Sequence, residues 1–233
     1  MIDLYALTSP NVQKIFLALE ELELPYKVVP VDVWKGDQFK PEFVNLNPNA
    51  KIPVIVDHEG PGGKPYTCFE SGAILMYLAE KTGKLMPKDM AKKYDVIQWL
   101  MIQMTGVGPA SGQLVHFKRF APQGDHAYSL SRYQTEVRRL YDVLESRLGQ
   151  TAYLGGADYS IADIATFPWA RNHDFLGVKW DDHPNCARWF NAIAGREAVK
   201  RALAKVDAIQ SSRDNAKPED LDRFFGRGRY ARA

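Results

Sequence analysis

The sequence predicts an α/β domain over residues 1–83 followed by an all-α helical domain over residues 88–206. Three features carry that reading. Before residue 70, short β-branched or alternating apolar stretches are separated by residues at helical spacing. Gly83-Lys-Leu-Met-Pro87 then breaks the pattern, and beyond it the apolar repeats are helical only. Residues 207–233, first mixed in charge and then basic, read as a C-terminal extension.

Ile2-Asp-Leu-Tyr-Ala-Leu7 alternates well enough for a strand, and Thr8-Ser-Pro-Asn11 supplies turn chemistry after it. Val12, Ile15, Phe16, Leu19 and Leu22 then follow helical spacing until Pro25. Residues 26–32 read as a second strand and 34–46 as a loop holding a short helix. Pro53 opens a third strand over 54–57, with a hairpin partner near 66–69. Ser71 is the expected N-cap of a helix over 72–82, since it precedes Ile74, Leu75, Leu78 and Ala79. This order, βαβ, then a helix, then ββα, is the thioredoxin-like arrangement. Spacing alone also admits another small α/β fold.

In the second domain a long helix is expected from about Asp89 to Gly106, bent or interrupted by Gly106-Val-Gly-Pro109 and resuming through Gln113 to Phe117. A second long helix carries Leu130, Tyr133, Val137, Leu140, Tyr141, Leu144 and Leu148 until Gly149 stops it. Ser160 stands three residues before Asp163 at the start of a further apolar run, the spacing of a capping box. That pair nucleates a helix and is assigned no catalytic role.

Composition narrows the functions available. A chain of 233 residues with 45% hydrophobic content can bury a core, and a formal charge of +2 is too small to imply nucleic acid or a membrane surface. No apolar run approaches the roughly 18 residues that span a bilayer, and Met-Ile-Asp-Leu-Tyr does not read as a secretory leader, so a cytoplasmic protein is expected. Cys68 and Cys186 form neither a Cys-x-x-Cys motif nor a zinc spacing, so they read as buried thiols and no metal is expected. Arg223-Phe-Phe-Gly-Arg227-Gly-Arg229-Tyr-Ala-Arg232 is basic and aromatic, but four arginines are too few for a nucleic-acid contact.

The stretch around which the chain is organised is Asn49-Ala-Lys-Ile-Pro53-Val-Ile-Val-Asp57 with Phe69-Glu70-Ser71-Gly72. A strand entered through Ile52-Pro53 leaves the Ile52 amide and carbonyl out of the sheet, where a cis bond would turn them toward a peptide-like ligand. Glu70-Ser71 adds a helix N-terminus, which suits an anion. In this order and spacing the two fragments resemble the glutathione-binding domain of cytosolic glutathione transferases, with the Ser160-x-x-Asp163 box as independent support. The resemblance covers residues 1 to about 205. Ser9-Pro-Asn11, Lys35-Gly-Asp-Gln38, residues 47–57, Phe69-Glu-Ser-Gly72 and Ser131-Arg132-Tyr133-Gln134 look most like the Nu class, bacterial enzymes related to a fungal nitrogen-regulator prion protein. The chain departs from that class in carrying Ser9 for threonine and Ala50 for a second asparagine.

The resemblance implies that Gln38 and Lys51 hold the glycyl end of glutathione, that the Ile52 backbone next to Pro53 pairs with its cysteinyl peptide, and that Glu70 and Ser71 bind the γ-glutamyl amine and carboxylate. Ser9 and Asn11 would act on the sulfur, because residues 5–14 contain no cysteine and Tyr5 falls inside the strand. Capping of the first helix is the plainer role for both. Arg132 would reach a second glutathione, and Met104, His116, Phe117 and Trp169 are unranked candidates for the walls of the pocket. Two glutathiones imply reduction of a disulfide, with some organic hydroperoxide reduction. The competing readings are a transferase that conjugates or ether-cleaves aromatic electrophiles and a non-catalytic glutathione-binding regulator. The family pattern also implies a homodimer, for which the stripes through Tyr94, Ile97, Met101 and Met104 and through Tyr133 and Tyr141 offer surplus apolar surface.

Overall fold

In the computed structural model of the protein, residues 1–227 are described, so Arg229, Tyr230 and Arg232 of the basic tail lie outside the described residues. The chain forms two compact units: Met1–Ile74 with the described residues from Arg201 on, and Leu75–Lys200.

The first unit is built on β1 (Ile2–Ala6), α1 (Pro10–Glu21), β2 (Tyr26–Pro30), α2 (Pro41–Val44), β3 (Val54–Asp57) and β4 (Tyr66–Phe69), with α3 (Ser71–Thr82) starting in it. The sheet order is β2-β1-β3-β4, with β1 parallel to β2 and antiparallel to β3. Alternation in β1 sends Ile2, Leu4 and Ala6 into the core and leaves Asp3 and Tyr5 half-buried. Tyr5 packs edge-on against Phe43, its ring centroid 6.2 Å away, so it belongs to the strand as its spacing predicts. The ladder of β2 ends at Pro30, two residues earlier than the apolar run suggests, although the Val31 N–H still reaches the Ala6 carbonyl at 3.0 Å.

The second unit holds α4 (Met90–Ile102), α5 (Gly108–Arg119), α6 (Ala127–Leu148), α7 (Ile161–Ala170), α8 (His173–Leu176) and α9 (Pro184–Ala194). Then α10 (Glu197–Asp207) and α11 (Pro218–Phe225) follow. The expected break falls as a π-helical turn over Gln103–Val107. Pro109 has no N–H to donate and crowds the carbonyl four residues back, which forces the wider turn before it. A Cβ on Gly108 would stand 2.9 Å from Gln103 Nε2 and 3.3 Å from the Gln103 carbonyl oxygen, so a larger residue there would have to displace the buried Gln103 side chain.

Every residue of α7 is buried, and its register is set by Asp163. The Asp163 Oδ1 accepts the Leu154 N–H at 2.8 Å and the Trp189 indole N–H at 2.9 Å; its Oδ2 accepts the Ser160 N–H and hydroxyl, both at 2.9 Å. Burial pushes the Asp163 carboxyl up, and these four donors oppose the push.

The stripe through α6 corrects one expectation. Tyr141 is 1% exposed and serves the interior of its own unit, because it sits on the same face as Val137, Leu140 and Leu144. Tyr94 and Met101 of α4 remain exposed, together with Met90. No described helix is long and apolar enough to cross a membrane.

Asp163→Asn replaces an acceptor oxygen by an amide that faces donors, leaving buried N–H groups unpaired. We expect it to lower unfolding stability by about 3 kcal/mol, read from urea unfolding followed by tryptophan fluorescence. A loss below about 0.5 kcal/mol, the level of an ordinary surface change, would contradict the role given to this carboxylate.

Candidate functional site

In the first unit the site grows from three loop ends. Ser9 is the N-cap of α1, its Oγ accepting the Val12 N–H at 3.3 Å, with Pro10 in the first turn. Asn11 follows on that turn, half-buried. The capping role read from sequence is therefore present at Ser9. A hydroxyl that accepts an N–H retains its own proton to donate, so capping and a contact to sulfur are compatible.

The second loop leads into β3 through a cis Ile52-Pro53 bond. The β1–β3 and β3–β4 ladders begin only at Val54, so Ile52 lies outside both. Asn47, buried, organises this loop: its Nδ2 donates to the Lys51 carbonyl at 2.7 Å and its Oδ1 accepts the Asn49 N–H at 3.0 Å. Lys51 is exposed at its tip, and Ala50 has φ of 52° in the left-handed region, which an asparagine would tolerate better.

The third loop is the junction of β4 and α3. Glu70 has φ of 67°, and its carbonyl accepts the Ile74 N–H at 2.9 Å. Ser71 is thus the first helical residue, one position inside the expected cap. Left-handed backbone at a non-glycine residue costs roughly 1–3 kcal/mol and gathers where geometry serves a ligand. The exposed Glu70 carboxylate accepts from Asn49 Nδ2 at 3.2 Å, which ties the second loop to the third.

Beneath Ser71 lies a residue that the sequence reading missed. Lys14 is 1% exposed, and its Nζ is 3.3 Å from Ser71 Oγ. Burial lowers its pKa from 10.5 to about 7, against the attraction of the Glu70 carboxylate. In sequence, Lys14 is one cation inside an apolar helix, a pattern that usually means a solvated side chain. Its place opposite a residue 57 positions away is visible only in the fold.

Gln38 lies in a short 3₁₀ turn, Asp37–Phe39, and is 2% exposed. Its Nε2 donates to the Val33 carbonyl at 3.2 Å, while its Oε1 is buried without a hydrogen-bond partner among the described residues. Arg132 is on α6 in the other unit, exposed, with its guanidinium 3.6 Å from Glu136. There His116 and Phe117 join an aromatic cluster in which Phe117 stacks on Tyr133 at 5.7 Å, and Trp169 is nearly buried. Both cysteines are buried, and burial pushes both thiols up. Among the described residues no cluster of histidine, cysteine and acidic side chains could hold a metal.

A four-stranded mixed sheet with a charged helix-end site, followed in the chain by an all-helical unit, is the architecture of the glutathione transferases that this chain matches. The chain belongs to the glutathione S-transferase family: its N-terminal domain family matches residues 8–81 and its C-terminal domain family residues 127–192. It is 47% identical over 207 residues to the disulfide-bond oxidoreductase YfcG of Escherichia coli, covering 88% of this chain and 96% of that one. It is 32% identical to the transcriptional regulator URE2 of Saccharomyces cerevisiae, over 84% of this chain and 65% of that one. Among solved structures, a glutathione transferase from Burkholderia graminis with two glutathione molecules bound per subunit matches with a TM-score of 0.84 at 47% identity, covering 89% of each chain.

Lys14 makes stability depend on pH in a definite direction. The unfolded chain holds the lysine proton up to about 10.5 and the folded chain only to about 7, so between those values the unfolded state binds more protons and stability rises with pH. The urea midpoint should climb from pH 7 to pH 9.5, and Lys14→Met should flatten that rise. Parallel curves for the two proteins would remove Lys14 as its source.

Proposed function

We propose that this protein reduces small disulfides with glutathione, using two glutathiones per site. The observation that carries the reading is the charge arrangement at the start of α3. A γ-glutamyl group is a zwitterion. Glu70 offers its ammonium a carboxylate held in place by Asn49, and Ser71 offers its carboxylate a helix N-terminus backed by the buried Lys14 amine. The cysteinyl peptide would pair with the Ile52 backbone beside Pro53, with Lys51 and Gln38 toward the glycyl end.

The thiol chemistry then falls to the ligand. No cysteine lies in residues 5–14, and burial keeps Cys68 and Cys186 protonated. Ser9 and Asn11, on the first turn of α1, stabilise the glutathione thiolate together with the helix N-terminus. That thiolate attacks one sulfur of the substrate disulfide, whose S–S bond breaks to release one thiolate. A second glutathione, met by Arg132, attacks the sulfur of the first in the mixed disulfide and releases the other thiolate. The products are oxidised glutathione and two thiols. Two glutathiones would likewise reduce an organic hydroperoxide to an alcohol and water. The names of YfcG and of the Burkholderia structure, with its two glutathiones, support this reading over conjugation of an electrophile or a regulatory role like that of URE2. The exposed Met90, Tyr94 and Met101 on α4 support a homodimer.

The test compares turnover of a small disulfide with conjugation of an aryl halide by one preparation. Disulfide reduction should dominate. Conjugation faster by more than about tenfold, roughly 1.4 kcal/mol in barrier, would reverse the assignment, and no turnover of either above the glutathione background would favour the regulator. Asn11→Ala should lower kcat at least about tenfold with little change in the glutathione Kd, and raise the pKa of the bound thiol. An unchanged thiol pKa in that variant would clear Asn11 of the role. Light scattering at micromolar concentration should give twice the 26.3 kDa chain mass, and a fully active monomer would refute the dimer.

A further inference from the structure

We propose that the C-terminal segment Ser212–Phe225 is a working part of the glutathione site, with Ser212 and Phe224 as positioning residues that hold the loop carrying Gln38. The inference rests on the reading that Gln38 contacts glutathione. The N- and C-terminal domain families that match this chain end at residue 192, so neither assigns this segment a task.

Residues 32–38 have little regular structure to hold them, and their order comes from a few contacts. Asp32 is the hub. Its carbonyl accepts the N–H groups of Lys35 and Asp37 at 3.0 and 3.2 Å, its carboxylate accepts the Trp34 N–H at 3.2 Å, and its own N–H donates to the Asp37 carboxylate at 3.1 Å. Lys35 adds an ion pair at 3.4 Å. From these, Gln38 is placed so that its amide nitrogen donates to the Val33 carbonyl at 3.2 Å. A carbonyl can only accept, so this bond fixes which way the amide faces. It leaves the buried Oε1 as an acceptor that the described residues do not use.

Val33 therefore orients Gln38, and both of its chain neighbours are held by the C-terminal segment. On one side the Ser212 hydroxyl lies 2.8 Å from both carboxylate oxygens of Asp32. On the other the Trp34 indole, 6% exposed, stacks on the Phe224 ring at 4.6 Å with an interplanar angle of 15°. The segment is itself fixed. Asp220 caps α11 by accepting the Lys217 N–H at 2.9 Å, Arg223 pairs with Asp220 at 2.8 Å, and Gly226 ends the helix in the left-handed region at φ 67°. Phe224, one of the aromatics of the basic tail, is thus engaged by Trp34.

A docked segment that only stabilised the fold would change the unfolding midpoint and leave ligand affinity alone. One that positions Gln38 changes affinity through Gln38. The test measures glutathione Kd by calorimetry, and KM and kcat with a disulfide substrate, in the full-length protein and in Phe224→Ala, Ser212→Ala, Gln38→Ala and Phe224→Ala/Gln38→Ala. Phe224→Ala is expected to raise Kd and the glutathione KM about fivefold, roughly 1 kcal/mol, with kcat within about twofold. Ser212→Ala should raise Kd in the same direction, and Phe224→Tyr should restore it. The double variant should bind no more weakly than Gln38→Ala alone, since two residues acting through one contact are not additive. If Gln38→Ala weakens binding and neither Phe224→Ala nor Ser212→Ala does, the site stands and the proposal falls. If Gln38→Ala leaves Kd unchanged, the assignment of Gln38 fails and takes the proposal with it. Additive losses in the double variant would also overturn it.

Discussion

The candidate site depends on one buried amine. Placing the Lys14 ammonium where it is 1% exposed costs desolvation energy, and the folded protein answers with a serine hydroxyl and the field of an exposed glutamate. Burial outweighs that attraction and lowers the lysine pKa to about 7. A carboxylate bound at the start of α3 would raise it again. The left-handed backbone at Glu70 belongs to the same arrangement, since it brings a carboxylate and a helix N-terminus into successive positions.

Asp163 shows the opposite solution. It too is a buried ionisable group, 0% exposed, but it receives donors from its own helix cap, from the Leu154 backbone and from Trp189 on α9. All of its capacity is used within the protein, so nothing remains for a ligand and its role is structural.

The loops of the first unit are linked in series. Asn47 shapes the turn that carries Lys51, Asn49 holds Glu70, and Lys14 underlies Ser71. Asp32 does the same for Gln38, and the C-terminal segment bears on Asp32. The residues proposed to meet glutathione are thus held by polar neighbours, some through backbone groups, as Asn47 holds the Lys51 carbonyl, and some side chain to side chain, as Asn49 holds Glu70.

Local chemistry was legible in the sequence by itself. Alternation placed β1, proline placed the start of β3 and the break before α5, Gly149 ended α6, and Ser160 with Asp163 opened α7, because each of these acts over a few residues through backbone geometry. The motifs Ser9-Pro-Asn11, Lys51-Ile-Pro53 and Glu70-Ser71 were equally visible, and with them the family. What only the tertiary structure decided are the pairings at long range: Lys14 with Ser71, Asn49 with Glu70, Trp189 with Asp163, and Phe224 with Trp34. It also decided that Tyr141 is spent inside its own unit and that Ser71 lies one residue inside its helix. The reason is physical. Spacing along a chain reports which face a residue occupies, whereas the charge state of a lysine depends on atoms that folding brings from dozens of residues away.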